Sequence, residues 1–425
     1  MNKTDPRYQA YVHILEEELL PAMGCTEPIA VAYAAALARD ILGKRPDRLV
    51  IHVSGNILKN VKSVVVPNTG GQRGTAAAAA AGVVAGDAEK ELEVIASVTP
   101  EQQAQISAFL QECPVQVELA DSDQIFYIGV TAYAGEEYGK TVITGYHTNV
   151  VLKERSGQVL LQKKEQEAEM ESPYDEKSLL SIKGILDFAE TVDLDDVRGP
   201  VQRQIDYNWA ISQEGLRGNY GANIGSVILQ NYGSDVKARA RAYAAAGSDA
   251  RMNGCELPVV IVSGSGNQGI TASVPVIVYA KELEVSEDKI LRAVVLSDLI
   301  TAHQKSGIGR LSAYCGAVSA GCGAGAAIAY LNGGGYEEIA HTVVNALAIV
   351  SGVVCDGAKA SCAAKIAAAV DAGILGYQMY KAGQQFWGGD GIVSKGVENT
   401  ITNVGRLARE GMRETDKEII KIMLG

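Results

Sequence analysis

The sequence predicts an α+β fold, and three observations carry that expectation. Ala- and Gly-rich segments with helical spacing occupy both ends of the chain. Short β-type runs cluster between about residues 45 and 168. The 425 residues are 47% hydrophobic, enough for a large core shared by two or three domains. The expected organisation is a helical catalytic domain built from residues 1–44 and 176–425, with an α+β domain inserted at 45–168.

The elements follow in order. Tyr8 to Leu20 carries apolar residues at helical spacing, and an Ala-rich helix ends near Leu42. Between them Pro21 to Pro28 breaks the pattern, with Pro28 suited to a first helical turn. Leu49–Val53, Val61–Val66 and Leu92–Val98 read as strands. Gly70–Val84 and Glu101–Glu112 read as helices. Val115–Leu119, Ile125–Ala134, Lys140–Leu152 and Gln158–Gln162 favour strands. Lys163 to Asp175 is charged and aperiodic, as a linker would be. From about residue 176 the chain is almost all helical, with Gly-rich turns.

Composition excludes several classes of function. A net charge of −12 disfavours nucleic acid and anionic membranes as partners. The N-terminal residues lack the apolar core of a signal peptide, so a cytoplasmic protein is expected. Leu311 to Leu331 is uncharged, but Gly, Ala and Ser dominate it and no Trp belt flanks it. A buried helix whose small residues admit a close neighbour or a bulky cofactor is the better reading. The prevalence of two-fold assemblies makes a homodimer the expected state.

Seven cysteines are present, an odd number in a chain without an export signal, which argues against a disulfide framework. Cys25, Cys315, Cys355 and Cys362 each have Gly or a helix breaker nearby. Loops with exposed backbone amides suit an iron–sulfur cluster, whose sulfides accept N–H donors. With no CxxC pair, the ligands would come from distant segments, and buried structural cysteines remain the alternative.

Other polar groups stand out. Ser263-Gly264-Ser265-Gly266-Asn267-Gln268-Gly269-Ile270 precedes an apolar helix. Such a turn can cradle an anion or simply cap the helix. Arg251, in a polar turn, suits bidentate grip of a carboxylate, or marks a surface loop. His147 lies between β-type runs, and Lys359 lies four residues after Cys355.

Gly24-Cys25-Thr26-Glu27-Pro28, Gly264 to Thr271, and Val354-Cys355-Asp356-Gly357-Ala358-Lys359 together resemble the signatures of the L-cysteine desulfidases. That family is serine-dehydratase-like (UPF0597 type). The likeness runs from about residue 10 to 420, and is more distant to the α part of iron–sulfur L-serine dehydratases. It implies an oxygen-labile 4Fe-4S cluster held by Cys25, Cys315 and Cys355 with one iron open, while Cys362 has a second claim.

The activity so implied belongs to cysteine catabolism: non-redox elimination giving sulfide, pyruvate and ammonia, with the open iron as Lewis acid. Arg251 would take the substrate carboxylate, and Ser265, Asn267 and Gln268 would make polar contacts. His147 or Lys359 would act as base. The alternatives are an L-serine dehydratase and, from another class, a non-catalytic amino-acid-binding or cysteine-sensing protein. A pyridoxal-phosphate enzyme could perform the same elimination, but the helical remainder does not look like those folds.

Overall fold

The computed structural model describes residues 1–163, 176–309 and 311–424. Apart from Lys163, the expected linker lies outside the described residues. The class is α+β: a mixed six-stranded sheet and its helices, packed with a large assembly of helices around a main core, with two small satellite clusters beside it.

The first helix, Pro6–Glu18, is capped by the Asp5 side chain and has Pro at its start. Strand β1 (Pro21–Met23) follows, then the helix Thr26–Leu42, which is buried along most of its length. Alanine makes that burial possible. An ideal Cβ on Gly82, in the neighbouring helix Gly74–Ala85, would fall 2.0 Å from the Ala32 carbonyl oxygen, so these backbones nearly touch.

The other face of Thr26–Leu42 covers the sheet. Strands β2 (Arg48–Val53), β3 (Val115–Leu119), β4 (Tyr127–Ala134), β5 (Glu137–Thr144), β6 (Val150–Arg155) and β7 (Gln158–Gln162) lie in the order β3-β2-β4-β5-β6-β7. Only β2 and β3 run parallel, as their helical crossover allows; the remaining neighbours are antiparallel. Alternation in β2 buries Leu49, Ile51 and Val53 on one face.

Three expected strands differ from the structure. Val61–Val66 is the end of the helix Gly55–Val61 followed by a turn. Its Val61, Val64 and Val66 are buried, so the apolar run reports burial rather than extended backbone. Leu92–Val98 belongs to a 3-10 helix (Ala88–Glu93) and turns, which the Asp87 carboxylate initiates by accepting from the Glu89 N–H. Lys140–Leu152 divides into β5 and β6 around a tight turn at 145–149.

The C-terminal part packs its helices around Gly316–Leu331, which touches the helices Gly266–Glu282, Glu287–Ile308, Tyr336–Val350 and Cys362–Lys381. Small residues set the spacing: an ideal Cβ on Gly373 would come 2.2 Å from the Gly321 carbonyl oxygen. Among the described residues no helix is long and apolar enough to cross a membrane. Strand β8 (Pro258–Val260) pairs antiparallel with β1, Pro21 opposite Val260. This short ribbon joins the N-terminal segment to the helical part that follows the sheet.

One buried acid is built into this core. Asp298 is 2% exposed. Its Oδ1 accepts from Gln204 Nε2 at 2.9 Å, and its Oδ2 has no partner. Burial, with the Glu18 charge adding, pushes the carboxyl up to about 8. The folded value lies above the unfolded one. Its contribution to stability is therefore full below about pH 4 and is lost as pH rises towards 8. Asp298→Asn removes this loss. Its unfolding free energy, relative to the parent's, is expected to rise by an amount that grows between about pH 5 and pH 8, reaching about 1–3 kcal/mol in chemical denaturation. Parallel pH profiles for the two proteins would show that Asp298 is already ionised.

Candidate active site

The β1–β8 ribbon places two helix starts side by side. After β1 the chain turns through Gly24 (φ +62°) into Cys25, the N-cap of Thr26–Leu42. After β8 it turns through Ser263 and Gly264, both at positive φ, into Ser265, the N-cap of Gly266–Glu282. Thr26 Oγ1 donates to the Gly264 carbonyl at 2.9 Å and locks the two turns together. Two further helices begin at the same place: Gly316–Leu331 with Cys315 as its N-cap, and Cys362–Lys381. None of these four has a side-chain cap hydrogen bond. Their first N–H groups and positive dipole ends therefore remain available to an anionic occupant.

A cavity of about 110 Å³ lies between these helix starts. Cys25, Cys315, Cys355 and Cys362 all line it, with Arg251, Ser265, Asn267, Gln268 and His147. The expected site residues thus meet in one place, with one exception. Lys359 is absent from the wall; its ammonium bonds the carbonyls of Asp356 and Gly357 and pairs with the Asp356 carboxylate at 2.5 Å.

Two cysteine loops are tied backbone to backbone. The Cys315 N–H donates to the Val353 carbonyl at 3.1 Å, and the Cys355 N–H to the Ala313 carbonyl at 2.6 Å. Burial pushes the Cys315 thiol up to about 12, with the Cys355 and Cys362 charges adding. Burial also raises Cys362, again with Cys355 adding. Cys25 is raised by burial and by Glu27, against the pull of Arg251. Its Sγ donates to Glu27 Oε2 at 3.1 Å.

Burial keeps these thiols protonated, and a metal bound here would have to displace their protons. Among the described residues no three His, Cys, Asp or Glu side chains converge on a single-ion site. A cluster differs from an ion because each thiolate bonds a separate iron. The cavity wall brings together several thiols from separate loops, with uncapped helix N–H groups around them, and these are groups that could hold a cluster.

The remaining wall carries buried polar groups without partners. Arg251 is 2% exposed, makes no salt bridge to any described residue, and its Nε lacks a partner. Gln268 Oε1 and Asn267 Oδ1 also lack partners. Unsatisfied buried groups of this kind are costly unless something occupies the cavity. His147 sits in the 145–149 turn, its ring edge-on to Phe126 at 4.9 Å. Burial opposes the charged form of Glu27, but His147, the Cys25 thiol and Arg251 outweigh it and hold the carboxyl below its ordinary value.

Several wall residues escaped the sequence reading: Glu27, Asn60, Lys305, Tyr314 and Lys365. Glu27 stands inside a motif already singled out, and Lys365 lies three residues after Cys362 on one helix face. Asn60, which donates to Glu27 Oε1 at 3.1 Å, and Lys305 come from segments that carry no local signal.

A family profile for the serine dehydratase alpha chain matches residues 89–421. The chain belongs to the serine dehydratase alpha chain family. Its relatives include a UPF0597 protein of Desulfitobacterium hafniense, 60% identical over 424 residues that cover 100% of this chain and 98% of the relative. Another, from Lachnoclostridium phytofermentans, is 51% identical over 417 residues, 98% of this chain and 100% of the relative. A third, from Treponema denticola, is 45% identical over 429 residues and is covered in full, as is this chain. Membership in the serine dehydratase alpha chain family places the protein among lyase-type enzymes.

The close packing beneath Arg251 offers a test of the wall. An ideal Cβ on Gly266 would fall 2.3 Å from Arg251 Nε and 2.6 Å from Val259 Cγ2. Gly266→Ala is expected to cost about 1–3 kcal/mol in chemical denaturation, by overpacking. An unchanged midpoint would mean that Arg251 moves freely and is not held for a ligand.

Proposed function

We propose that the protein is an L-cysteine desulfidase with an open-site 4Fe-4S cluster. The observation that carries this reading is one cavity holding both several thiols at uncapped helix starts and a buried Arg251 with no ion-pair partner among the described residues and unpartnered amide oxygens beside it. The ligands proposed are Cys25, Cys315 and Cys355, with Cys362 on the wall next to them. Cys25 and Cys315 are both N-caps in extended conformation, so each thiol is presented ahead of its helix. When bound, such a cluster supplies a Lewis acid for the leaving group.

The protein groups do the rest. Arg251 receives the substrate carboxylate through its forked N–H groups. Asn267 and Gln268 turn carbonyl oxygens to the ammonium. His147 removes the Cα proton, and the nearby Glu27 carboxylate steadies the imidazolium that results. The C–S bond breaks with its electron pair leaving on sulfur. The 2-aminoacrylate released takes up water and loses ammonia. L-cysteine and water thus give pyruvate, ammonia and hydrogen sulfide, with no external electron carrier.

The family match also supports elimination from L-serine in the same cavity, with hydroxide as leaving group. Substrate comparison separates the two. Protein reconstituted anaerobically with iron and sulfide is expected to release sulfide and pyruvate in equal amounts from L-cysteine and to turn over L-serine poorly. The reverse preference would establish the dehydratase. Binding of L-cysteine without turnover would establish the binding protein instead. Cys25→Ser, Cys315→Ser and Cys355→Ser are each expected to lose iron. Loss in Cys362→Ser with retention in Cys25→Ser would reassign the third ligand. Arg251→Met is expected to raise KM by about tenfold or more; an unchanged KM would remove the carboxylate role.

A further inference from the structure

The C-terminal helix Arg413–Leu424 lies against the helix Gly55–Val61, which follows β2 of the sheet. The contact is close. Ile420 Cδ1 sits 2.6 Å from where a Cβ on Gly55 would stand, and Lys62 donates to the Met423 carbonyl. At its centre is Lys59, 3% exposed. Its ammonium pairs with Asp416 Oδ1 at 2.5 Å and faces the Cys355 carbonyl oxygen at 3.4 Å. A buried ammonium needs a counter-charge, and Asp416 is its ion-pair partner.

The same C-terminal stretch reaches the other cysteine loop. Before the last helix the chain makes a π-helical turn, Leu407–Gly411, and the Ala408 carbonyl accepts from Ser312 Oγ at 3.1 Å. Ser312 lies three residues before Cys315. The Cys355 loop also presses on Lys59 through its backbone. Gly357 has φ +97°, and a Cβ there would come 2.4 Å from the Lys59 carbonyl oxygen. Both cysteine loops therefore rest on a base made of the C-terminal segment and the helix that carries Lys59.

We propose that Lys59 is a positioning residue: held by Asp416 of the C-terminal helix, its ammonium fixes the Cys355 loop beside the Cys315 loop. The charge attracts the Cys355 carbonyl dipole and orients the loop so that the Sγ faces the cavity. The C-terminal helix is then a structural requirement of the site although it supplies no group to the cavity wall. The consequence for iron rests on the reading of Cys355 as a ligand. The positioning itself does not, because it can be read in iron-free protein.

The test is timed alkylation of the full-length, reduced, iron-free protein with iodoacetamide, resolved at each cysteine by peptide mass spectrometry. Lys59→Met combined with Asp416→Leu removes both charges and leaves neither buried alone. In this variant the Cys355 rate is expected to rise about tenfold through local opening, with Cys113 unchanged. Iron retained after anaerobic reconstitution is expected to fall below about half of the parent's, as ligand misplacement costs affinity. An unchanged Cys355 rate in the folded variant overturns the proposal. If the double variant fails to fold, Asp416→Asn serves, read by hydrogen exchange over the peptide around Cys355; faster exchange supports the proposal and unchanged exchange overturns it. Should the parent itself take up no iron while the Cys355 rate still rises, the cluster reading fails and the positioning role stands.

Discussion

Four helices present their first turns to one cavity without side-chain caps. Helix starts often satisfy their free N–H groups with Ser, Thr, Asp or Asn side chains, as Asp5, Thr99, Ser181, Asp235 and Ser286 do here. Gly74–Ala85, Arg198–Arg217, Ile224–Tyr232 and Val397–Arg406 also start without such caps, so it is the convergence of four uncapped starts on one cavity that distinguishes the site. At the cavity, cysteine takes the N-cap position twice, and the Ser265 hydroxyl makes no cap bond. The positive ends of four helices in one place favour negative charge there. Thiolates, and the cluster sulfides and substrate carboxylate proposed above, are all negative and would be favoured there.

Much of the architecture serves this convergence. The β1–β8 ribbon binds the turn before Cys25 to the turn before Gly266, and the Thr26 hydroxyl fastens them. The small residues along Gly316–Leu331 allow it to run through the centre of the helical assembly with Cys315 at its open end. The sheet contributes as well. The turn between β5 and β6 carries His147 to the cavity, where Glu27 meets it from the helix beneath. The sheet layer thus supplies part of the wall.

The α+β class, the long helices and the later strands were legible because periodicity records which face is buried. Val61–Val66 and Leu92–Val98 misled for the same reason, since an apolar run records burial and not backbone shape. The four cysteines carried a signal in their breaker-rich surroundings, but their spacing did not reveal that they meet. That convergence depends on the pairing of Tyr314 with Val354 and of β1 with β8, contacts between segments distant in sequence. A lysine serves as a base only when burial depresses its pKa, but the Lys359 side chain is 30% exposed, lies outside the cavity wall and is held by Asp356. Lys59 and Asp416 are 357 positions apart in the chain, and nothing local marks either of them.

The proposed chemistry requires these thiols to hold a cluster whose open iron meets L-cysteine beside Arg251. Mössbauer spectroscopy of protein reconstituted with isotopically enriched iron, before and after anaerobic addition of L-cysteine, addresses it most directly. One iron is expected to differ from the other three, and its signal alone is expected to shift when the amino acid is added. Four equivalent irons left unmoved by L-cysteine would contradict the claim.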